Sequence, residues 1–201
     1  MTDVYDGQVW KDFQHDNISG NPFLSEPIDL ALMLNCDWYQ PYKHSEYSVG
    51  VLYLVILNLP REERFKEENL IIVGLIPGPK EPKLDINTFL EPLVEELQDL
   101  WNGVLLRDNS SCGAHIYRAA LVCLSSDIPA IRKCGGFVGH VALRGCSKCL
   151  KTFTRERFGT KADYSGADRT AWTPRVSSDH IHYAKMARRA KTKAAKKRLE
   201  D

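Results

Sequence analysis

The run that decides the fold is IDLALMLNC at residues 28–36, which is followed directly by Asp37. This mostly apolar run predicts a strand. Two further runs, SVGVLYLVILNL at residues 48–59 and NLIIVGLI at residues 69–76, are rich in β-branched residues, and each is stopped by a proline. They predict a second and a third strand. The links between the three strands are hairpin-like, so the sequence predicts an antiparallel meander.

The spacing of apolar residues changes after this meander. Between residues 86 and 101 they recur every three or four positions with acids between them, which predicts an amphipathic helix. Residues 116–124, IYRAALVCL, predict a buried strand, although the Arg-Ala-Ala segment leaves a helix as the competing interpretation. Pro129 then predicts a short helix that ends near Lys133. The order β-β-β-α-β-α predicts an α/β fold with a ribonuclease-H-like mixed sheet, incomplete in this chain.

Composition divides the chain into four predicted regions. Residues 1–27 are polar and punctuated by Gly and Pro, which predicts an extended lead-in with little regular structure. We expect a partial ribonuclease-H-like domain at residues 28–135 and a Cys/His zinc-binding-like insertion at residues 136–160. Residues 161–201 are expected to form a linker and a basic helical tail, because apolar periodicity lapses there while Ala, Lys and Arg favour helix.

The same composition bears on the compartment. No apolar run approaches the roughly 20 residues that a membrane-spanning helix needs, and the opening MTDVYD is acidic rather than signal-like. We therefore expect an intracellular chain with no membrane partner. Its six cysteines are then expected to be thiols or metal ligands rather than disulfides.

Charge is distributed unevenly along the 201 residues. The chain has 27 Lys and Arg against 26 Asp and Glu, yet residues 144–201 hold 16 basic and only 6 acidic side chains. The small net charge therefore does not exclude a protein that binds nucleic acid. The densest basic run predicts salt-sensitive, sequence-independent contact with DNA, while a solvated helix and a nuclear-localisation patch remain open. Its members are Lys185, Arg188, Arg189, Lys191, Lys193, Lys196, Lys197 and Arg198.

Two aspartates occupy corresponding places in the predicted sheet. Asp37 follows the first strand and Asp127 follows the fourth, and in a ribonuclease-H-like sheet these strand ends lie side by side. Mg²⁺ prefers carboxylate oxygens that converge from different elements, and two such ions can activate a nucleophile and stabilise a leaving oxygen at phosphorus. The alternative is structural: Asp37 caps a turn, and Asp127 is the N-cap of the helix that Pro129 opens.

Cysteine and histidine form a second candidate site. Cys134, His140, Cys146 and Cys149 follow one another as C-x5-H-x5-C-x2-C, and a C-x-x-C pair lets two thiolates reach one Zn²⁺ ion. Cys134 is the least secure ligand, and either histidine of the segment DHIH at residues 179–182, His180 or His182, could replace it. Unligated thiols and a redox pair are the alternatives, and a structural zinc role is favoured over a catalytic one.

Three stretches closely resemble the catalytic region of CACTA-superfamily (En/Spm-like) DNA transposases, in order and over residues 20–153. They begin LNCDWYQPYKHSEYS, NLIIVGLIPGPKEPK and RAALVCLSSDIPAIRKC. The resemblance implies a DDE/D catalytic domain that cuts and joins DNA with Mg²⁺ or Mn²⁺. Asp37 in DWYQPY matches the family's first aspartate, and Asp127 in DIPA matches the second. The family's third acid, which lies beyond a D-P-x-H motif, has no recognisable counterpart here.

The resemblance also implies partners and a location. The partners are the transposon ends, target DNA and further copies of the chain, and the location is the nucleus. Related transposases also carry a matching G-H followed by C-x-x-C, which favours the zinc interpretation. We therefore expect a fragment of a transposon-encoded transposase that is inactive alone. The alternative is a non-catalytic, transposon-derived module that contains zinc and binds DNA or protein.

Overall fold

The computed structural model describes residues 2–15, 22–44, 46–82, 86–107, 113–137, 142, 144, 146–153, 170 and 172–192. These residues form a mixed α/β structure with a four-stranded mixed sheet, a two-stranded sheet and four α-helices. The strands are β1 (Leu30–Tyr39), β2 (Val49–Ile56), β3 (Leu70–Ile76), β4 (Val104–Arg107), β5 (Ala114–Tyr117) and β6 (Ala119–Leu124). The helices are α1 (Gln8–His15), α2 (Ile86–Asn102), α3 (Ile128–Cys134) and α4 (Ser177–Arg189). The chain divides into two units, Met1–Ser126 and Asp127–Asp201.

The main sheet has the strand order β3-β2-β1-β6. β1 is antiparallel to β2, and β2 is antiparallel to β3, which confirms the predicted meander. β6 is parallel to β1, so the chain reaches it by a crossover that contains α2. α2 contacts β6 and β3 and buries Ile86, Leu90 and Leu93. The predicted α/β class and the mixed sheet are therefore confirmed.

β1 is the central strand because β2 and β6 pair with its two edges. Residues 31–34 are all buried, so both faces of the strand are covered at this end. A strand of that kind is expected to be a nearly continuous apolar run. Asp37 lies inside β1, opposite Val51 of β2, whereas the sequence predicted that the strand ends just before it.

The prediction of little regular structure in residues 1–27 is wrong for Val4–Asp6, a 3-10 turn, and for α1. Trp10 of α1 is buried against Met33 of β1 and Val55 of β2. The Tyr5 hydroxyl lies 2.9 Å from the carbonyl oxygen of Leu57, to which it can donate. These contacts order a polar segment through a few aromatic anchors, which apolar periodicity does not detect.

The predicted strand at residues 116–124 is two strands, because β5 ends at Tyr117 and β6 begins at Ala119. Arg118 stands between them and forms an ion pair with Asp29, with 2.6 Å between Nη2 and Oδ2. The helical alternative for this segment is wrong. β5 pairs with β4 in a two-stranded sheet that the sequence did not predict. Gly103, with a φ of 102°, joins α2 to β4 in a conformation that favours glycine.

The second unit is built around α3, a short extended pair and α4. Cys149 and Pro174 form an isolated antiparallel β-bridge. Beside it, the N–H of Leu150 donates to the carbonyl of Thr173, and the N–H of Arg175 donates to the carbonyl of Lys148, both at 2.9 Å. α4 contains no buried residue, as expected for a helical tail without an apolar face. None of the helices in the described ranges is long and apolar enough to cross a membrane.

Candidate functional site

Asp37 is exposed on one face of the main sheet. Its Oδ1 accepts a hydrogen bond from the backbone N–H of Trp38 at 2.8 Å. Tyr53 of β2 pairs with Asn35 and therefore lies on the same face as Asp37. Burial first, and then the negative charge of Asp37, raise the pKa of Tyr53. Asp37 thus presents a carboxylate from inside a strand, and the alternative that it caps a turn is wrong.

Hydrogen bonds extend the pairing of β1 with the chain beyond the end of β6. The N–H of Ser125 donates to the carbonyl of Leu34 at 2.9 Å. The N–H of Cys36 donates to the side-chain hydroxyl of Ser126 at 2.8 Å. Asp37 follows Cys36 in the chain, and Asp127, the first residue of the second unit, follows Ser126.

Asp127 is the N-cap of α3. Its Oδ1 accepts a hydrogen bond from the N–H of Ala130 at 2.7 Å, and Pro129 stands in the first turn of the helix. The capping role that the sequence left open is therefore confirmed. The side chain is exposed, and the hydrogen bond to Ala130 engages one of its two carboxylate oxygens.

Cys146 and Cys149 are the predicted zinc ligands that the structure brings together. The N–H of Lys148 donates to the sulfur of Cys146 at 3.3 Å. Burial alone would raise the pKa of Cys146, but hydrogen bonds from the N–H groups of Lys148 and Cys149, a hydrogen bond from the Cys149 thiol and the charge of Arg132 lower it. Burial and the neighbouring Cys146 raise the pKa of Cys149. Cys146 is therefore the more acidic of the two thiols, and its sulfur accepts a hydrogen bond from the Cys149 thiol.

Among the described residues, no other predicted ligand joins this pair to form a metal site. Cys134 is the half-buried last residue of α3, and His140 lies outside the described residues. His180 stacks on Phe137 with 4.4 Å between ring centroids, whereas His182 lies edge-on to the ring that follows it in α4. In the part of the chain that the structure describes, no three His, Cys, Asp or Glu side chains are placed to hold one metal ion.

Two arginines near the cysteine pair were missed by sequence reasoning. Arg175 donates from Nε to the carbonyl of Cys146 at 2.8 Å and from Nη2 to the carbonyl of Arg144 at 2.9 Å, so one guanidinium holds the backbone at both residues. Arg132 is 6% exposed in α3, and its Nε and Nη1 are buried without a hydrogen-bond partner among the described residues. Basic residues abound in this half of the chain, so the sequence alone gives no signal for these two.

The sequence matches the family described as transposase family tnp2 over residues 1–198. The chain belongs to the tnp2 transposase family. No curated protein matches it. Family membership confirms the transposase part of the resemblance seen in the sequence and supports, in general terms, an association with DNA. The narrower CACTA assignment stays a prediction.

In this member of the tnp2 family, half of the predicted basic tail lies in the described residues. Lys185, Arg188 and Arg189 are exposed on α4, and Lys191 is exposed just after it. Positions three and four apart share one side of a helix, so the first three cations form a single basic face. The other four predicted DNA contacts, Lys193, Lys196, Lys197 and Arg198, lie outside the described residues.

Proposed function

We propose that this tnp2-family chain is part of the catalytic region of a CACTA-type DDE/D transposase with a ribonuclease-H-like fold, spanning residues 28–135. The strand order β3-β2-β1-β6, with β6 alone parallel to its neighbour, supports that fold. The single observation that carries the active-site proposal is the hydrogen bond between Cys36 and Ser126, because Asp37 and Asp127 are the next residues of the two bonded segments.

Asp37 and Asp127 would hold Mg²⁺ or Mn²⁺. Both are exposed carboxylates, which suit a hard cation that keeps several waters and binds through one or two protein carboxylates together with substrate phosphates. Such an ion would polarise phosphoryl oxygen and activate an oxygen nucleophile for cleavage and strand transfer of DNA. No third acid is recognisable in the expected sequence context, so we do not expect the chain alone to transpose DNA.

Iron-directed cleavage tests the shared ion without requiring activity. Fe²⁺ bound in place of Mg²⁺ produces hydroxyl radicals with ascorbate and peroxide, and these cut the backbone beside the ion. We expect cuts near residues 37 and 127 that excess Mg²⁺ suppresses, and we expect Asp37→Asn to remove both. Asp99→Asn, a change at an exposed acid of α2, is the control and should remove neither.

Two results would sink the assignment. One is loss of the cut near residue 37 alone in the Asp37→Asn variant, because a shared ion requires both cuts to disappear. The other is Mg²⁺-dependent nicking of DNA that continues unchanged in Asp37→Asn and Asp127→Asn. Asn caps helices about as well as Asp, so the second substitution should leave α3 intact.

We propose that Cys146 and Cys149 hold a structural Zn²⁺ in the predicted insertion at residues 136–160. The N–H to sulfur hydrogen bond and the lowered pKa of Cys146 suit a thiolate ligand. His140 and Cys134, with His180 or His182 as substitutes, are the candidates for the remaining positions. About one equivalent of Zn²⁺ should copurify with the wild type. Metal content that is unchanged by Cys146→Ser with Cys149→Ser would remove this site.

A non-catalytic module that binds DNA or protein through its zinc-containing part is the second candidate function. One observation favours it: residues 127–201 hold 18 basic and 7 acidic side chains, whereas residues 1–126 hold 9 and 19. We also propose that the chain is located in the nucleus, that it contacts transposon and target DNA, and that it associates with copies of itself. Binding to random duplex DNA that is insensitive to salt, or that survives deletion of residues 183–201, would exclude the basic tail as the contact.

A further inference from the structure

Two exposed tyrosines follow Asp37 along the chain. Tyr39 is the last residue of β1 and is 49% exposed, and Tyr42, in the connection to β2, is 61% exposed. Successive residues of a strand point to opposite faces, so Tyr39 lies on the same face as Asp37, about 6.6 Å further along the strand. The candidate metal-binding carboxylate therefore has an accessible aromatic ring next to it on the sheet.

The neighbouring Trp38 holds the end of β1 in place. It points to the opposite face of the sheet, where it pairs with Gly50, and a Cβ on Gly50 would lie 2.7 Å from its indole ring. The indole therefore occupies the space that a side chain at position 50 would need. This packing fixes the backbone at Trp38 and leaves the next residue, Tyr39, open on the face of Asp37.

Tyr42 is held by a contact with a second aromatic ring. It lies edge-on to Tyr47, with 6.2 Å between the ring centroids. Tyr47 is half-buried and packs on Gly78, where a Cβ would lie 3.0 Å from the Cζ atom of the tyrosine. A ring that is fixed before binding loses little conformational entropy when a ligand stacks on it. Tyr42 therefore offers an exposed and preorganised aromatic surface.

The chemistry of this edge of the sheet suits an unpaired nucleotide. Every base has a flat π-face that can stack on an aromatic ring, but a base inside a duplex has to leave the stack before a side chain can reach that face. Lys43, which is exposed beside Tyr42, adds a cation that can neutralise a phosphate. Single exposed apolar side chains are common on proteins, so it is the position of both rings next to Asp37 in a tnp2-family chain that points to DNA.

We propose that Tyr39 and Tyr42 form a stacking platform for unpaired nucleotides at a DNA end, next to the phosphate that Asp37 would bind through its metal ion. The proposal rests on the function proposed above and names the form of DNA that this site takes. Stacked DNA rises 3.4 Å per nucleotide, so the distance from Asp37 to Tyr39 corresponds to about two nucleotides. A base within about two positions of the cleaved phosphate would stack on Tyr39, and a base further along the strand would stack on Tyr42.

Binding of a short, fluorescently labelled oligothymidine to the full 201-residue chain tests the platform. Anisotropy is measured in EDTA, so that no metal ion is needed, and a random duplex of the same length reports contacts that do not involve unpaired bases. Tyr39→Ala and Tyr42→Ala should each weaken binding of the single strand by about 5-fold or more and leave binding of the duplex unchanged. Tyr39→Phe and Tyr42→Phe should bind like the wild type, because Phe keeps the ring.

Phe65→Ala is the matched control. Phe65 is a 59%-exposed aromatic residue in the connection between β2 and β3, at the other end of β2 from Tyr39. Its loss should leave binding of the single strand unchanged. Photocrosslinking then locates the contact, because 5-iodouracil in the single strand bonds on irradiation to an aromatic ring stacked on it. We expect mass spectrometry to find the crosslink at Tyr39 or Tyr42.

The outcomes separate this proposal from that of the metal site. Unchanged affinity for the single strand in both Ala variants overturns the platform, and so does an equal loss for the single strand and the duplex, or a crosslink confined to the basic tail. If an Ala variant does not fold, as judged by circular dichroism, Tyr39→Leu and Tyr42→Leu keep the bulk without the ring, and unchanged affinity in these variants overturns the platform. The iron-directed cleavage described above tests Asp37 separately. Cuts near residue 37 together with unaffected Ala variants keep the metal site and remove the platform, whereas weakened Ala variants without such cuts keep the tyrosines as DNA contacts and remove the metal site.

Discussion

Replacing Asp29 by Asn tests the buried ion pair that joins the starts of β1 and β6. Asp29 is 1% exposed, and its carboxylate accepts from Nε of Arg118 at 3.0 Å and from Nη2 at 2.6 Å. Its Oδ2 also accepts from the N–H groups of Ser25 and Glu26 at 3.2 and 3.0 Å. Asn has the same shape but carries NH₂ where one oxygen must accept. The substitution therefore leaves Arg118 without its counter-charge and sets donors against donors.

The size of the effect follows from the burial of the pair. Removing one partner of a buried ion pair costs about 3–5 kcal/mol. The side chain of Arg118 is 25% exposed, so water can solvate part of the guanidinium. We therefore expect the free energy of unfolding to fall by the lower value, about 3 kcal/mol.

The same pair predicts a dependence on pH. Burial would raise the pKa of Asp29, but hydrogen bonds and charge from Arg118, with the N–H groups of Ser25 and Glu26, hold it below its ordinary value. A carboxyl with a depressed folded-state pKa contributes stability above its unfolded pKa of about 3.9 and loses it as the pH falls through the folded-state value. The difference between wild type and Asp29→Asn should therefore shrink below a pH of about 4.

Urea unfolding followed by tryptophan fluorescence, at pH 7 and again at acidic pH, measures both effects. Glu63→Gln is the control, because the Glu63–Lys66 pair is 39% and 46% exposed and should be worth less than about 1 kcal/mol. A second Arg118→Met substitution should cost less in Asp29→Asn than in the wild type, since no orphaned charge remains. A loss below about 1 kcal/mol at pH 7, or the same loss at both pH values, would refute the reasoning.

Three further predictions concern the N-terminal segment, α3 and α4. Trp10→Ala should lower the free energy of unfolding by about 3–5 kcal/mol, because this 6%-exposed side chain anchors α1; a thermal melt that matches the wild type would contradict this. In urea unfolding, Asp127→Ala should cost about 1 kcal/mol and Asp127→Asn almost nothing; equal losses would argue against the cap. Replacing Lys185, Arg188 and Arg189 by Ala should reduce the slope of log affinity against log salt by up to about 2.7 for random duplex DNA, measured by fluorescence anisotropy; an unchanged slope would exclude α4 from the contact.

The parts of the fold that could be predicted are those whose burial follows chain order. The meander is visible in the sequence because half of the residues in β1 and in β2 are buried, which requires apolar side chains there. α2 is visible because its apolar residues share one side. β4 and β5 are four residues long, and their paired residues Leu105 and Ile116 are 67% and 59% exposed. Strands this short and this exposed show no alternation of apolar and polar residues that a sequence pattern could detect. Arg118 splits the predicted strand through a partner 89 residues away, which no local pattern contains.

The candidate site divides in the same way. The C-x-x-C spacing predicts that Cys146 and Cys149 meet, because two intervening residues are enough to bring the sulfurs together. The capping of α3 by Asp127 could likewise be read from Pro129 two positions later. Arg132, by contrast, is 6% exposed, and one basic residue among many basic residues gives no sign of that burial. Local spacing therefore predicts the paired cysteines and the helix cap, but it does not predict which basic side chain is buried.

The side chain of Ser126 supplies a hydrogen-bond acceptor to β1 beyond the end of β6. β6 ends at Leu124, and α3 begins four residues later, at Ile128. The N–H of Cys36 would then lose its carbonyl partner in the buried centre of the sheet, where an unmet donor costs about 1–3 kcal/mol. The Ser126 hydroxyl replaces that carbonyl for Cys36 and donates in turn to the carbonyl of Ser125 at 2.7 Å. The hydroxyl of Ser126 therefore keeps the N–H of Cys36 hydrogen-bonded although β6 has ended. This bond lies one residue before Asp37 in one segment and one residue before Asp127 in the other.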